Sequence, residues 1–475
     1  MNFIAACTDS QIEEIRDKTA DILETVGFRV EHADLLRRCQ EAGAGVDLAS
    51  GIVRFPRSLL AELLAGVPVE YTVTGADGAE YTIGREHQHL HAIVTDPWIV
   101  DYETQAPRRP RLDDLRLHTA LAQELKQVAF VSLMDFPVTD VEGPTSSLRA
   151  FEEHVLGHAK HTWVFATDLE RYRHFLEVGK IVAAAQGKEL DGSRLLSVAV
   201  GVLSPMVVTG LNVEFLLQAC AHDFPVIPTV CPMAGMSSPY SLAGTLLLGN
   251  VELIGLAALT QIVRRGHPYL YAFGPSAADM RSGHDLYYTL DKVLWKIAGA
   301  QLGKSYNMPI AVEAGGSMTF RYDQQNGAEG ILFMLAALGA GANTINGIGS
   351  TYNAIGMSAE MMVIHTAWLE AARFLQRGIR FDERRLGLES IRRTGPGGSY
   401  LTDDLTLYCL RQREFFAHPL FDHAGGAEVG EPLLARAHEQ VQRLTANVES
   451  PLPEQAQEAI RRYCAEQYRK AASPG

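Results

Sequence analysis

No two of the six cysteines (Cys7, Cys39, Cys220, Cys231, Cys409, Cys464) form a Cys-x-x-Cys pair, so neither a disulfide framework nor a structural zinc knot is indicated. No segment concentrates the 42 lysines and arginines, and the formal charge of −14 argues against an electrostatic footprint for nucleic acid. No apolar run that stands out would span a bilayer: residues 330–342, the most apolar, are too short and glycine-rich, and residues 1–9 lack the basic and apolar regions of a signal peptide. A cytoplasmic location with no membrane partner is expected. No Ser-His-Asp or Cys-His set can be assembled along the chain. The run from Gly395 to Gly398 follows no strand and precedes no Lys-Ser/Thr, which makes it a structural loop rather than a phosphate cradle.

What is present fits an α/β enzyme with many turns: 475 residues, 47% of them apolar, with 42 glycines and 21 prolines. Ser10 with Glu13 reads as a capping box before Ile12, Ile15, Ala20, Ile22 and Val26, a second helix covers residues 32–41, and Pro56 opens a third. Residues 70–74 and 80–83 flank Ala76-Asp77-Gly78, the chemistry of a tight hairpin turn.

From His91 onward, short apolar runs alternate with helical periods. Strands are expected near residues 91–94, 128–134, 162–166, 195–200, 226–230, 269–273, 310–313 and 343–346. Eight such units have the rhythm of a (β/α)8 TIM barrel, with a doubly wound sheet as the alternative. The expected organisation is residues 1–88 as N-terminal helices and hairpin packed on the barrel, 89–376 as the barrel, and 377–475 as a helical C-terminal extension.

His87, His89 and His91 alternate on one strand face, as a zinc site of the amidohydrolase type begins, but further ligands are missing. Strand five has no His, strand six only His267 at its wrong end, and strand eight has Asn346 where an Asp is needed. Three polar rim histidines and no metal are expected, with a metal-dependent hydrolase as the alternative. Glu152-x-His154-x-x-Gly157 is one residue from the Asp-x-His-x-x-Gly that supplies the lower cobalt ligand in corrinoid domains, but it lies in an expected helix with no Rossmann-like segment after it. The chain is expected to carry no corrinoid of its own.

Barrel enzymes hold their active sites at the C-terminal rim of the strands. The rim positions read from this sequence are Thr95, Asp96 and Trp98; Met134 and Asp135; Phe165 and Thr167; Ser204; Met233; Phe273 and Ser276; Glu313; Asn346 and Tyr352. Aromatics, methionines and a few carboxylates dominate, without a general-base histidine. Such a mouth suits a cation without acidic protons, since aromatic faces and desolvated carboxylates both attract quaternary ammonium.

The stretch from Val312 to Gly316, followed by Asp323 to Gly327 and then Gly341-Ala342-Asn343, resembles the trimethylamine methyltransferase superfamily. Shorter pieces in the same order extend the resemblance over nearly the whole chain, among them Ser204-Pro205, Pro232 to Gly235, Asn250-x-Glu252, Asp279-Met280-Arg281 and Gly395 to Thr402. The resemblance implies a (β/α)8 barrel that moves a methyl group from a methylated amine to the cobalt of a separate corrinoid protein. Relatives without pyrrolysine act on quaternary amines such as glycine betaine, and this chain has none. Met318 and Phe320 stand where many relatives have Asp and Lys, and Asn346 where many have His.

On this reading Glu313 and Asn346 are the catalytic candidates, with Asp96 helping to orient the substrate. Trp98, Phe165, Phe273, Phe320 and Tyr352 would form an aromatic cage, and Arg281 or Arg321 would hold a betaine carboxylate. The expected partners are a cognate corrinoid protein, a small quaternary amine and further copies of the chain in a homo-oligomer. The alternatives are a non-catalytic betaine-binding barrel, motivated by the departures at Met318, Phe320 and Asn346, and a trimethylamine-type substrate.

Overall fold

A computed structural model describes residues 5–133, 138–143, 145–423 and 430–472. Its centre is eight strands: β1 (His89–Ile93), β2 (Val128–Ser132), β3 (His161–Val164), β4 (Leu196–Val202), β5 (Val226–Val230), β6 (Tyr271–Ala272), β7 (Ile310–Glu313) and β8 (Thr344–Ile348). The order is β5-β4-β3-β2-β1-β8-β7-β6, with every neighbouring pair parallel. Parallel bridges Val226 to Tyr269 and Val230 to Phe273 join the two edges, so the sheet closes and the doubly wound alternative falls. Each strand is followed by a helix: α1 (Leu112–Glu124), α2 (Ser146–Gly157), α3 (Leu169–Ala185), α4 (Gly210–His222), α5 (Leu242–Val263), α6 (Asp291–Ser305), α7 (Gln324–Gly339) and α8 (Ala359–Arg377). All eight expected strands are present.

The hairpin of Glu70–Thr74 and Glu80–Gly84 closes the N-terminal end of the barrel. Its Tyr71, Val73 and Ile83 form a small inner core with Phe130, Trp163, Ile227, Leu270 and Ala311 of the strands. Polar seams fix it there: Thr74 accepts at its carbonyl from His161 Nδ1 (2.9 Å) and donates its amide to the Arg194 carbonyl (3.1 Å).

The helices Asp9–Thr25 and Arg57–Ala65 pack outside α5. Covered by the barrel on one side and by these helices on the other, α5 is apolar all round, as a helix buried on every face must be. This helix, not 330–342, is the long apolar segment of the chain, and most of its length is buried. The cap of Asp9–Thr25 is Thr8 with Gln11 rather than the expected Ser10 with Glu13; the Ser10 hydroxyl instead meets that of Thr8 at 3.0 Å. Past α8, Leu433–Thr445 packs on α8 and α1, and Glu454–Ala472 on α2 and α3.

Inside α5, Glu252 fastens the loop after β4, accepting from Ser204 Oγ (2.8 Å) and the Met206 amide (2.9 Å). Burial pushes its carboxyl up to about 7, and the two hydrogen bonds pull the other way. A carboxyl raised above its unfolded value of 4.5 binds more protons folded than unfolded between those limits, so its contribution to stability falls as pH rises through that window. Glu252→Gln keeps both hydrogen bonds, since the Ser204 hydroxyl can reverse its role. The variant should therefore match wild type near pH 4.5 and exceed it above pH 7, by at most about 3 kcal/mol. Chemical denaturation of both proteins across that range checks this; a gap that does not vary with pH would show that Glu252 is not held protonated.

Candidate active site

Along β7 the inward parity of Ala311 passes to Glu313, and register pairs Glu313 with Asn346 on β8. Two candidate residues thus stand side by side over the inner core. Beyond them the chain runs through Gly315 and Gly316. A Cβ at Gly315 would lie 1.9 Å from the Gly347 carbonyl oxygen, and one at Gly316, whose φ is +106°, would fall 2.2 Å from the Tyr288 ring. Gly315 thus lets β7 lie close against Gly347 of β8, and Gly316 lets Tyr288 lie against the end of β7.

Glu313 is not a free carboxylate. It accepts from Tyr287 Oη at 2.7 Å and is ion-paired with Lys292 Nζ at 2.9 Å. Lys292 and Lys296 lie one turn apart at the start of α6, both fully buried. Burial alone would raise the Glu313 carboxyl; the Lys292 ammonium outweighs it, Lys296 adding to the pull only in its charged form, and the group is brought below its ordinary range. Burial lowers Lys292, offset by Glu313, and drives Lys296 well below the ordinary lysine range. The arrangement this favours is an ionised Glu313–Lys292 pair with a neutral Lys296 beside it, its amine 3.8 Å from the Phe333 ring centroid. The reading of the sequence missed Tyr287, Tyr288 and both lysines. One signal was available: Lys292 and Lys296 are like charges at i,i+4 with no carboxylate three or four residues away on that helix, a poor design for a solvated face.

Lone polar atoms and rings stand around this pair. Asn346 Oδ1 and Asp96 Oδ2 are buried without a donor, and burial raises the Asp96 carboxyl well above its usual range. After β8, Tyr352, Asn353 and Ala354 are all left-handed (φ 48°, 55°, 63°), and Asn353 Oδ1 accepts from the Tyr287 amide at 2.7 Å. This loop brings Tyr352 edge-on to Phe320 (5.3 Å between centroids) and towards Trp98 (6.4 Å). Three of the five expected cage rings therefore cluster, although the face of Trp98 already carries the Arg109 guanidinium at 4.0 Å.

The other candidates lie elsewhere. Phe273 points outward between α5 and α6, against Gly249 and Gly299, because the inward position of its strand belongs to Ala272. Phe165, two residues beyond Trp163 and of the same parity, packs against the inner core and also borders a cavity of about 900 Å³ between α2, α3 and the helix Glu454–Ala472. Arg321 is paired with Asp323, the cap of α7, at 2.9 Å, and Arg281 is exposed on the turn between Asp279 and His284. Met134 and Asp135 lie outside the described residues. His89 is bonded to the Thr82 carbonyl, while His91 stacks on Trp163 at 4.2 Å and bonds Ser132 Oγ at 2.8 Å. Burial, with help from His161, takes His91 down to about 3, so it is neutral. Among the described residues no three His, Cys, Asp or Glu side chains converge as a metal set. Cys231 opens onto the lumen yet lies deep, and burial pushes its thiol up to about 12.

The family model described as Trimethylamine methyltransferase (MTTB) matches residues 1–473. The chain belongs to the trimethylamine methyltransferase family. Relatives of this family member include a trimethylamine methyltransferase MttB of Desulfitobacterium hafniense, 24% identical over 96% of this chain and 93% of its own. A glycine betaine methyltransferase of the same species is 25% identical over 94% and 93%. The solved monomethylamine methyltransferase of Methanosarcina barkeri aligns with 98% of this chain and 93% of its own, at 12% identity and a TM-score of 0.47.

The charge assignment around Glu313 separates two otherwise similar substitutions. Lys292→Met leaves Glu313 without its counter-charge and should cost about 2–4 kcal/mol, somewhat below a wholly buried pair because part of Glu313 opens to the lumen. Lys296→Met replaces an already neutral amine with an apolar side chain of similar length and should change stability by less than about 1 kcal/mol. Urea unfolding of the two variants measures the contrast, and equal losses would mean that Lys296 carries charge as well.

Proposed function

We propose that this protein transfers a methyl group from a small quaternary amine, glycine betaine or a related betaine, to the Co(I) of a separate corrinoid protein. The observation that carries the reading is an ionised Glu313 whose register neighbour on β8, Asn346, has a buried Oδ1 without a donor, with the Phe320–Tyr352 ring pair on the loops that follow the same two strands. A quaternary ammonium has no N–H to give and no lone pair; its polarised methyl groups suit lone acceptors and ring faces.

The chemistry asks little else of the site. The Co(I) electron pair attacks one N-methyl carbon, a Co–C bond forms, the C–N bond breaks, and its electrons return to nitrogen as a neutral tertiary amine. No proton is delivered, which accords with a lumen whose His91 is neutral, whose Cys231 is a thiol and whose Glu313 is engaged with Lys292. The protein's work is alignment: Glu313 and Asn346 hold the head group while Phe320 and Tyr352 limit its rotation, with the reacting methyl towards the open mouth. Because Arg321 is engaged with Asp323, a betaine carboxylate would have to displace that pair or turn to another cation at the rim. The cytoplasmic location expected from the sequence belongs to the same proposal.

The direct test mixes the protein with a Co(I) corrinoid protein and a panel of betaines and follows the methylcobalt spectrum. Transfer from none of them overturns the reading, and tight calorimetric binding with no transfer to any corrinoid protein would favour a betaine-binding barrel instead.

The cage has its own test at Phe320, which sits on a loop, so that substitution should leave the fold intact. Phe320→Lys places a like charge beside the bound cation and should weaken binding by about 1–3 kcal/mol, whereas Phe320→Leu, losing only the π-face, should do less. Calorimetric affinities at matched thermal stability give the ranking; three equal affinities would place Phe320 outside the site.

A further inference from the structure

After β1 the chain pairs Trp98–Val100 antiparallel with Pro107–Arg108, Ile99 opposite Arg108 and Val100 opposite Pro107. The same register carried one residue further sets Arg109 across from Trp98, where opposed side chains meet. The Arg109 guanidinium lies over the Trp98 ring, 4.0 Å from its centroid, and Nη1 donates to the Pro97 carbonyl at 3.1 Å. Trp98 in turn is tied to the loop after β8. Its amide donates to the Ile355 carbonyl (3.0 Å), its register partner is Gly356, and its ring stands 6.4 Å from that of Tyr352.

Stacking on a ring fixes the plane of a guanidinium but engages none of its N–H donors, which all point along the edges of that plane. With Nη1 turned to Pro97, the Nε–Nη2 edge of Arg109 is left open to solvent. The neighbouring carboxylates are already taken: Arg108 pairs with Asp101 at 2.9 Å and with Asp114 at 2.6 Å. Among the described residues no carboxylate pairs with Arg109. The two arginines nominated from the sequence compare poorly, since Arg321 is engaged with Asp323 and Arg281, on its exposed turn, stacks on none of the described rings.

We infer that Arg109 is the specificity-determining residue for the anionic end of the substrate: a carboxylate docks on its open Nε–Nη2 edge while the ammonium end lies with Tyr352 and Phe320. This rests on the quaternary-amine reading above and narrows it to zwitterions that carry a carboxylate. A guanidinium edge matches the two oxygens of a carboxylate in a way that a point charge does not. Trp98 then serves as the shelf that holds the guanidinium in plane rather than as a wall around the ammonium. A side chain already fixed in that way loses little freedom when the carboxylate arrives. The contact between Trp98 and Tyr352 joins the two ends of the site, so one ligand can reach both.

Calorimetry of the full chain with ligands matched in length tests this, γ-butyrobetaine against butyltrimethylammonium and glycine betaine against choline. In at least one pair, wild type should bind the carboxylate-bearing member on the order of tenfold more tightly. Arg109→Gln should bring that ratio close to one by weakening the carboxylate-bearing member alone, and Arg281→Gln should leave the ratio as in wild type. Should Arg109→Gln fail to fold, wild type decides by itself, because the preference must shrink as ionic strength is raised roughly tenfold. The inference is overturned by a wild-type ratio of one in both pairs, by a ratio indifferent to Arg109→Gln or to salt, by equal weakening of both members, or by a preference that Arg281→Gln removes instead. Methyl transfer to a Co(I) corrinoid protein, followed with the same ligands, separates the two readings. Transfer without any carboxylate preference removes the role of Arg109 and leaves the methyltransferase reading standing, whereas a wild type that binds none of the four ligands removes both.

Discussion

The architecture around the lumen turns on one ion pair. A carboxylate set on the inner face of a barrel strand cannot stay ionised without a counter-charge, and Glu313 finds it in Lys292, which reaches in from α6. That reach dictates its surroundings. Tyr287 and Tyr288 precede the helix and enclose the pair, Gly316 clears the space in which Tyr288 lies, and the left-handed run Tyr352–Asn353–Ala354 pins the Tyr287 amide from the far side. Tyr352 hangs on that same loop, whose Tyr352 and Asn353 amides donate to the Thr319 and Ser317 carbonyls of the loop that carries Phe320, so the charge pair and the aromatic cluster form one assembly.

The barrel itself was legible in the sequence because parallel strands buried on both faces read as continuous apolar runs, and all eight appear within a few residues of their expected places. Glu313 and Asn346 were legible for the same reason, each ending such a run beside the other. Parity was harder. Phe273 ends a strand, but the lumen side of β6 is held by Ala272, and which of two neighbours faces in depends on sheet geometry that a short run does not encode. The N-cap of the first helix was misplaced because two hydroxyls, Thr8 and Ser10, lie two residues apart and either could serve.

What lay beyond reading was non-local. That Arg109 covers Trp98, that Arg321 turns back to Asp323, and that a lysine on an outer helix neutralises a strand carboxylate are pairings between distant segments or choices among several partners. The like-charged spacing of Lys292 and Lys296 signalled that something unusual lay on α6 but not which group would answer it.

The hairpin that closes the N-terminal end of the barrel makes the lumen a blind well, sealed below by Tyr71, Val73 and Ile83. Under the proposed reaction both reactants must then come through one mouth, and they differ greatly in size. A small amine can enter an open well, but not one already covered by a docked protein. The geometry therefore imposes an order of events on turnover: amine first, acceptor second, and a demethylated product held below the acceptor until that larger molecule has left.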